Sequence, residues 1–168
     1  SRSWVEAGVL GFAGIGFGAA ITTSYGTTTT LTADGACVRI PDATYARVVW
    51  SPDGAWLGIW SLPAFGGGAT LRVLERDTLR LTSVASSDDI DEEFAVGPGG
   101  TVVWLEPSRG TPFDSSDIRS ASPTSAPHVL GRVVSTARAI WWGEQGLVVR
   151  DGTGLAAGRR ADPAAKAD

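Results

Sequence analysis

Three glycines recur at one spacing along this chain, and they constrain its fold more than any other feature of the sequence. They are Gly54, Gly100 and Gly146, and each follows the one before it by 46 residues. Short apolar, β-branched and Trp-rich runs stand on both sides of each glycine, which is typical of strands joined by turns. A constant spacing indicates an internal repeat. We therefore predict strand–turn–strand hairpins at the three glycines, within sheets of meander order.

Further strand-like runs complete the repeat. They occupy residues 70–75 and 79–84 in the first unit and residues 117–120 and 128–130 in the second, and a further hairpin is predicted over 31–40 around the Ala-Asp-Gly of residues 33–35. Closed propellers usually have about four to eight blades, and these units are too few for an ordinary ring. The sequence favours either an open, partial propeller or a smaller sandwich, with edges or Trp-rich faces that another chain covers.

The best-defined turn lies in the segment VVWSPDGAWLGIW, residues 48–60. This segment resembles the W-S-P-D-G hairpin of TolB-like and WD40-like β-propeller repeats. The other two units lack the Ser-Pro-Asp and follow the pattern by their spacing alone. The resemblance implies a blade-like meander of strands and no particular activity.

The first 25 residues have the composition of a transmembrane helix. Between Trp4 and Tyr25 the only charged side chain is that of Glu6, and a helix needs about 20 apolar residues to cross the bilayer core. The two aromatic residues are expected to anchor the helix at the two membrane interfaces. Since Arg2 precedes the run and the next basic residue is Arg39, the charge pattern favours a cytoplasmic N-terminus.

We therefore predict one uncleaved helix over residues 4–24, within an anchor of residues 1–25. A β-rich domain over 26–157 and a low-complexity tail over 158–168 would follow it. Two other interpretations remain for the apolar run. It has a small-residue motif at residues 18–20 that resembles a signal-peptide cleavage site, and it would also suit a buried helix of a soluble domain.

Small residues recur along one side of the predicted helix. Ala7, Gly11, Gly14 and Gly18 follow one another at steps of four, three and four residues, which places them on one helical face. Small residues at this spacing let two helices approach closely in lipid. We predict that this face contacts a helix of a neighbouring membrane protein.

Charge and chemistry narrow the function classes. The net charge is −4 and no basic stripe is present, which argues against nucleic-acid binding. Cys37 is the only cysteine and His128 the only histidine, so neither an internal disulfide nor a cysteine-based metal site is expected. No spacing of nucleophile, base and acid stands out. We predict no catalytic residue, no metal site and no cofactor.

The densest charged run is a candidate for docking to a basic partner surface, and a solvated loop is the alternative. It comprises Asp88, Asp89, Asp91, Glu92 and Glu93.

These features favour a non-catalytic accessory subunit of a larger integral-membrane complex in a bacterial inner membrane, with its β domain on the periplasmic side. A respiratory or photosynthetic host is a guess from where single-span subunits occur. The alternative is a membrane-anchored periplasmic binding or sensor module with a propeller-like fold. Both hypotheses expect the lipid bilayer and other membrane proteins as neighbours.

Overall fold

The regular structure of this chain is antiparallel β-sheet whose strands follow one another in sequence order. The computed structural model describes residues 20–24, 27–31, 37–41, 43, 45–63, 66–108, 115–134, 139–143, 146–151 and 154–156. Within these ranges the strands form four sheets, each a meander. The predicted mainly-β domain of meander sheets is thus confirmed, and its arrangement is propeller-like.

The first two sheets come from the N-terminal half of the chain. Sheet I contains β1 (Ala20–Ser24), β2 (Thr27–Leu31) and β3 (Cys37–Ile40). Sheet II contains β4 (Tyr45–Trp50), β5 (Trp56–Leu62), β6 (Ala69–Glu75) and β7 (Leu81–Ser87). All neighbouring strands in both sheets pair antiparallel.

The other two sheets follow in the same manner. Sheet III contains β8 (Phe94–Val96), β9 (Val102–Pro107), β10 (Ser115–Ser122) and β11 (Ser125–Val134). Sheet IV contains β12 (Ala139–Gly143), β13 (Gly146–Asp151) and β14 (Gly154–Ala156). Sheets II and III are therefore the two complete four-stranded units among the described residues.

The predicted helix over residues 4–24 is wrong at its C-terminal end. Ala20–Ser24 form strand β1, which pairs with Thr27–Leu31. Ile21, Thr22 and Thr23 are β-branched and pair in register with threonines of β2, and β-branched side chains favour strands over helices. Among the residues that the structure describes, no helix is long and apolar enough to cross a membrane.

The remaining residues of the predicted anchor lie outside the described ranges. They include the predicted interface residues Trp4 and Tyr25 and the predicted helix-contact residues Ala7, Gly11, Gly14 and Gly18. The predicted tail over 158–168 also lies outside them.

Sheet II is buried on both of its faces. Successive side chains of a strand point to opposite faces, and β5 shows this alternation. Leu57 and Ile59 pack with Ile40 of sheet I in one apolar cluster. Trp60 packs into a second cluster with residues of sheet III, including Trp104. The sheet thus lies between its two neighbours in the chain.

Sheet III is likewise packed on both sides. Phe94 and Val96 of β8 face sheet II, whereas Ala95 between them packs with Ile140 and Val149 of sheet IV. The four sheets are therefore stacked in sequence order, and each junction has its own apolar cluster. We call the face of a sheet toward the preceding sheet its rear face and the opposite one its forward face.

The three predicted hairpins are confirmed, and each repeat glycine has the positive φ that glycine adopts without steric cost. The φ angles are +66° at Gly54, +72° at Gly100 and +119° at Gly146. Strand alternation places Val48 with Trp50, and Val102 with Trp104, on one face of their strands, and the structure agrees. Val48 and Trp50 belong to the cluster between sheets I and II, and Val102 and Trp104 belong to the cluster between sheets II and III.

The loops of the three hairpins nevertheless differ in length. The backbone N–H of Ser51 donates to the carbonyl oxygen of Trp56 (2.8 Å) and that of Gly97 to Thr101 (2.7 Å). Gly143 pairs directly with Gly146. The loops so enclosed have four, three and two residues. Each loop is one residue shorter than the one before. A residue at a given distance after the repeat glycine therefore points to the opposite face of its sheet from one unit to the next.

Side-chain hydrogen bonds stabilise the longest loop. The Ser51 hydroxyl donates to Asp53 Oδ1 (2.5 Å) and accepts from the backbone N–H of Trp56 (2.9 Å). The same Asp53 oxygen accepts from the N–H of Ala55 (3.0 Å). Ser and Asp are favoured in turns because their side chains bond nearby backbone groups in this way. These contacts give the Ser-Pro-Asp-Gly segment a structural role.

Candidate protein-binding surface

The forward face of sheet IV is the main candidate for a binding surface. The residue five positions before the repeat glycine is Val49 in sheet II, Ala95 in sheet III and Trp141 in sheet IV. Val49 packs into the cluster between sheets II and III, and Ala95 is fully buried between sheets III and IV. Trp141, at the same position, is 40% exposed. The last of the described sheets therefore carries a large, partly exposed aromatic residue at the position that is covered in the two sheets before it.

Val148 extends this surface on the neighbouring strand. It is the cross-strand partner of Trp141 and is half-buried. On the rear face of sheet IV, Ile140 and Val149 are buried, and Trp142 packs against the same cluster. We call the pair Trp141 and Val148 the terminal face. It is apolar on a sheet whose opposite side is already packed.

The outer edge of sheet III is a second exposed apolar region. Val129 and Leu130 of β11 are 51% and 46% exposed. This edge has features that disfavour pairing with another strand. Pro127 has no N–H to donate, and a register shift between Val129 and Gly131 leaves Leu130 as a bulge. Such irregularities protect edge strands from association.

The predicted docking run lies between β7 and β8, and the structure brings part of it into an internal ion pair. Glu93 Oε1 is 3.1 Å from Arg47 Nη1, and the same guanidinium donates to the carbonyl oxygen of Glu92 (3.2 Å). The backbone N–H of Asp89 donates to the Ser87 hydroxyl (3.1 Å). The Arg47 contacts tie β4 of sheet II to the start of β8.

The exposed part of that run is Asp88, Asp91 and Glu92. Docking of the run to a basic partner stays a prediction, now narrowed to these three residues.

A charged cluster that the sequence did not predict borders the core between sheets II and III, to which Trp104 belongs. The Trp104 indole N–H donates to Glu106 Oε1 (3.0 Å), and Arg119 Nε lies 2.7 Å from Glu106 Oε2. Nearby, Asp117 Oδ1 accepts from the Ser108 hydroxyl (2.7 Å) and from Arg132 Nε (2.9 Å). The charges of the two acidic and two arginine side chains neutralise one another, so the cluster is better suited to stabilising the fold than to binding a charged ligand.

The signal for this cluster is the cross-strand register. Glu106 pairs with Asp117, and Trp104 pairs with Arg119. Side chains on directly opposed residues of antiparallel strands interact, but the loop between β9 and β10 hides the register from a reading of the sequence.

Asp117 provides a pH-dependent prediction. Hydrogen bonds from Ser108 and Arg132 lower the pKa of its carboxyl below the ordinary 3.8, and the charges of Arg132 and Arg119 act in the same direction while burial opposes them. The ionised group then stabilises the fold above the unfolded pKa, and this contribution is lost as pH falls through the folded pKa. Between about pH 5 and about pH 2 we expect the Tm of the wild type to fall more steeply than that of Asp117→Asn.

Thermal melts across that range, followed by circular dichroism, measure the difference. Asp77→Asn, in the exposed turn between β6 and β7, is the matched control and should follow the wild-type slope. If Asp117→Asn has the same slope as the wild type, Asp117 does not contribute in the way described.

His128 and the acidic groups form no metal-binding cluster in the described part of the chain. His128 is exposed, and its ring Nδ1 lies 3.1 Å from the carbonyl oxygen of Ala126. Within the described ranges, no three His, Cys, Asp or Glu residues are grouped so that they could hold a metal ion.

Comparison with known proteins gives similarity in fold only. No protein-family model matches the chain, and no curated protein matches it. Among solved structures, it is similar to the β-propeller domain of the Trilobed protease from Pyrococcus furiosus. The identity is 13% and the TM-score 0.48, over 80% of this chain and 44% of that one.

It is also similar to the acylaminoacyl peptidase of Pyrococcus horikoshii, with 14% identity and a TM-score of 0.48 over 81% of this chain and 26% of that one. An acylaminoacyl peptidase in complex with Z-Gly-Gly-Phe-chloromethyl ketone gives 14% identity and a TM-score of 0.47, over 80% and 26%. The chain thus spans less than half the length of each of these proteins.

Proposed function

We propose that this chain is a non-catalytic structural subunit whose propeller-like stack of TolB-like or WD40-like sheets is completed by another protein chain. The single observation behind the proposal is the exposure of Trp141 at a position that is covered in sheets II and III. The forward faces of those sheets are buried by the next sheet in the stack. By analogy, the terminal face is built to receive a sheet or a flat apolar surface.

The energetics favour a protein occupant. Trp is among the residues that contribute most at protein interfaces, because it combines a large apolar area with few rotatable bonds. Burying a large apolar side chain is worth about 1.5–3 kcal/mol relative to leaving it exposed. Trp141 is 40% exposed in the isolated chain, so part of that free energy is still available to a partner.

Attachment to a membrane complex is part of the same proposal, and it rests on the apolar N-terminal run. With Ala20–Ser24 in a strand, the run from Trp4 to Ala19 has 16 residues. As a helix it would be about 24 Å long at 1.5 Å per residue, against about 30 Å for the bilayer core. A hydrophobic helix shorter than the core is accommodated by local thinning of the bilayer or by association with other helices. We propose that it docks on partner helices through Ala7, Gly11, Gly14 and Gly18, and that the β domain is periplasmic.

Purification of the tagged full chain from the membrane fraction of its host in mild detergent tests the proposal. We expect the wild type to co-migrate with other protein chains and Trp141→Glu to lose the chain that covers the terminal face, because a buried carboxylate without a partner is costly. Leu130→Glu, which changes a similarly exposed apolar residue on β11, is the matched control and should retain them.

Two results would contradict the proposal. One is recovery of the wild type free of any other chain, which would favour the anchored binding or sensor module instead. The other is an assembly that Trp141→Glu leaves intact.

A further inference from the structure

We propose that the chain covering the terminal face is a second copy of this protein, with sheet IV of one copy packed on the rear face of sheet I of the other. This inference rests on the proposed function and names its partner.

The order of the stack defines what the terminal face should meet. At each junction the forward face of one sheet packs on the rear face of the next, as Val49 of sheet II packs with Phe94 and Val96 of sheet III. Sheet IV therefore offers a forward face. Val38 and Ile40 of β3 pack on sheet II, so they belong to the forward face of sheet I. Among the four described sheets, sheet I is the one whose rear face has no preceding sheet packed on it, so this rear face is the matching surface.

The two end surfaces have complementary chemistry where their side chains are described. Arg39 lies between Val38 and Ile40 on β3, so strand alternation places it on the rear face of sheet I, and it is exposed. Trp141 is exposed on the forward face of sheet IV. A guanidinium over an indole ring is a favourable cation–π pair and is worth more when it is desolvated. Sheet IV of one copy and sheet I of the next copy therefore present complementary side chains to each other.

Repetition of such a contact has a natural end point. A head-to-tail contact either closes a ring or continues into a filament. Two copies with four described sheets each contribute eight sheets in total, which is within the range of about four to eight blades seen in propellers. A symmetric contact between two terminal faces would leave both rear faces of sheet I uncovered. Pairing through β11 is disfavoured by Pro127 and the bulge at Leu130.

Sedimentation velocity of the full chain in the same mild detergent, between about 1 and about 100 µM, tests the inference, a range that brackets the affinity of many reversible dimers. We expect a species of twice the 17.4 kDa chain mass. Trp141→Glu and Arg39→Glu should each weaken its formation at least tenfold. Leu130→Glu is the control and should sediment like the wild type. Melting temperatures of the variants show whether each is folded.

A cross-linking experiment distinguishes the head-to-tail contact from a symmetric one. Facing sheets pack about 10 Å apart, so a bismaleimide of about that length is the suitable reagent. Cys37, the only cysteine, lies two residues before Arg39 on β3. With Val148→Cys in this background, we expect cross-linked dimers, and these should disappear when Cys37→Ser is added.

Several results overturn the inference. They are a wild type that stays monomeric at 100 µM, a dimer that survives both charge substitutions, and cross-linking of Val148→Cys that persists with Cys37→Ser. A monomeric wild type that still binds other proteins through Trp141 would overturn this inference alone and leave the proposed function standing.

Discussion

Alanine at Gly100 is expected to lower the free energy of unfolding by about 2–4 kcal/mol. Two costs add at this position. A Cβ there would lie 2.7 Å from Cε3 of Trp56, and overpacking of this kind costs about 1–3 kcal/mol. The φ of +72° adds about 1 kcal/mol for a residue with a side chain. Urea unfolding, followed by Trp fluorescence, gives the difference from the wild type.

Two neighbouring glycines separate these costs. Gly99 has a φ of +66° but no atom within 4 Å of a Cβ, so Gly99→Ala should cost about 1 kcal/mol. Gly97 has an ordinary φ of −110°, but a Cβ would lie 2.6 Å from Cδ2 of Trp142, so Gly97→Ala should cost about 1–3 kcal/mol. Equal losses for Gly99→Ala and Gly100→Ala would show that Trp56 does not pack on this turn.

Truncation of Trp104 is the second large effect. Its side chain is 1% exposed in the cluster between sheets II and III, and Trp→Ala at such a site costs about 3–5 kcal/mol. Trp104→Phe should cost less, because the ring still fills most of the space while Glu106 loses the indole donor. Denaturant midpoints of the two variants measure both terms.

Trp141→Ala is the matched control for that substitution. Because Trp141 is 40% exposed in the isolated chain, its truncation removes less buried area and should cost a monomer about 1–2 kcal/mol, clearly less than the loss at Trp104. If Trp104→Ala is as mild as Trp141→Ala, the two middle sheets do not share the core described here.

The hairpins were predictable because their determinants are local. Glycine tolerates positive φ, the Ser51 and Asp53 side chains bond the loop backbone, and alternation assigns Val48 and Trp50 to one face. The structure adds what depends on loop length. The three glycines are equally spaced, but the loops beside them have four, three and two residues. No residue type in the sequence indicates this difference in loop length.

The N-terminal prediction failed in part for a physical reason. Apolar content along Trp4–Tyr25 does not distinguish a helix from a strand, whereas the β-branched run Ile21–Thr23 does favour a strand. It pairs with the threonines of β2. The length of an apolar run is therefore a weaker guide to a helix than the shape of its side chains.

The candidate binding surface was only partly predictable. The sequence predicts that a Trp-rich face is covered by another chain, but Trp50, Trp104 and Trp141 all stand in similar positions beside their turns. Their different exposure follows from the position of each sheet in the stack, which is a tertiary property. The charged cluster around Glu106 depends in turn on the pairing of β9 with β10.

The shortening of the loops has a consequence for anyone who recombines these units. Two residues after the repeat glycine, Trp56 points toward sheet III, whereas Val102 points back toward sheet II. If a hairpin were exchanged between units at the glycines, the side chains of its second strand would point to the opposite faces of the sheet, and its apolar residues would be exposed. An exchange made at the paired residues that border each loop, Ser51 with Trp56 and Gly97 with Thr101, would preserve the orientation. The unit that can be exchanged in this protein is therefore defined by the hydrogen-bonded pairs that border its loops, and the number of residues between those pairs can differ.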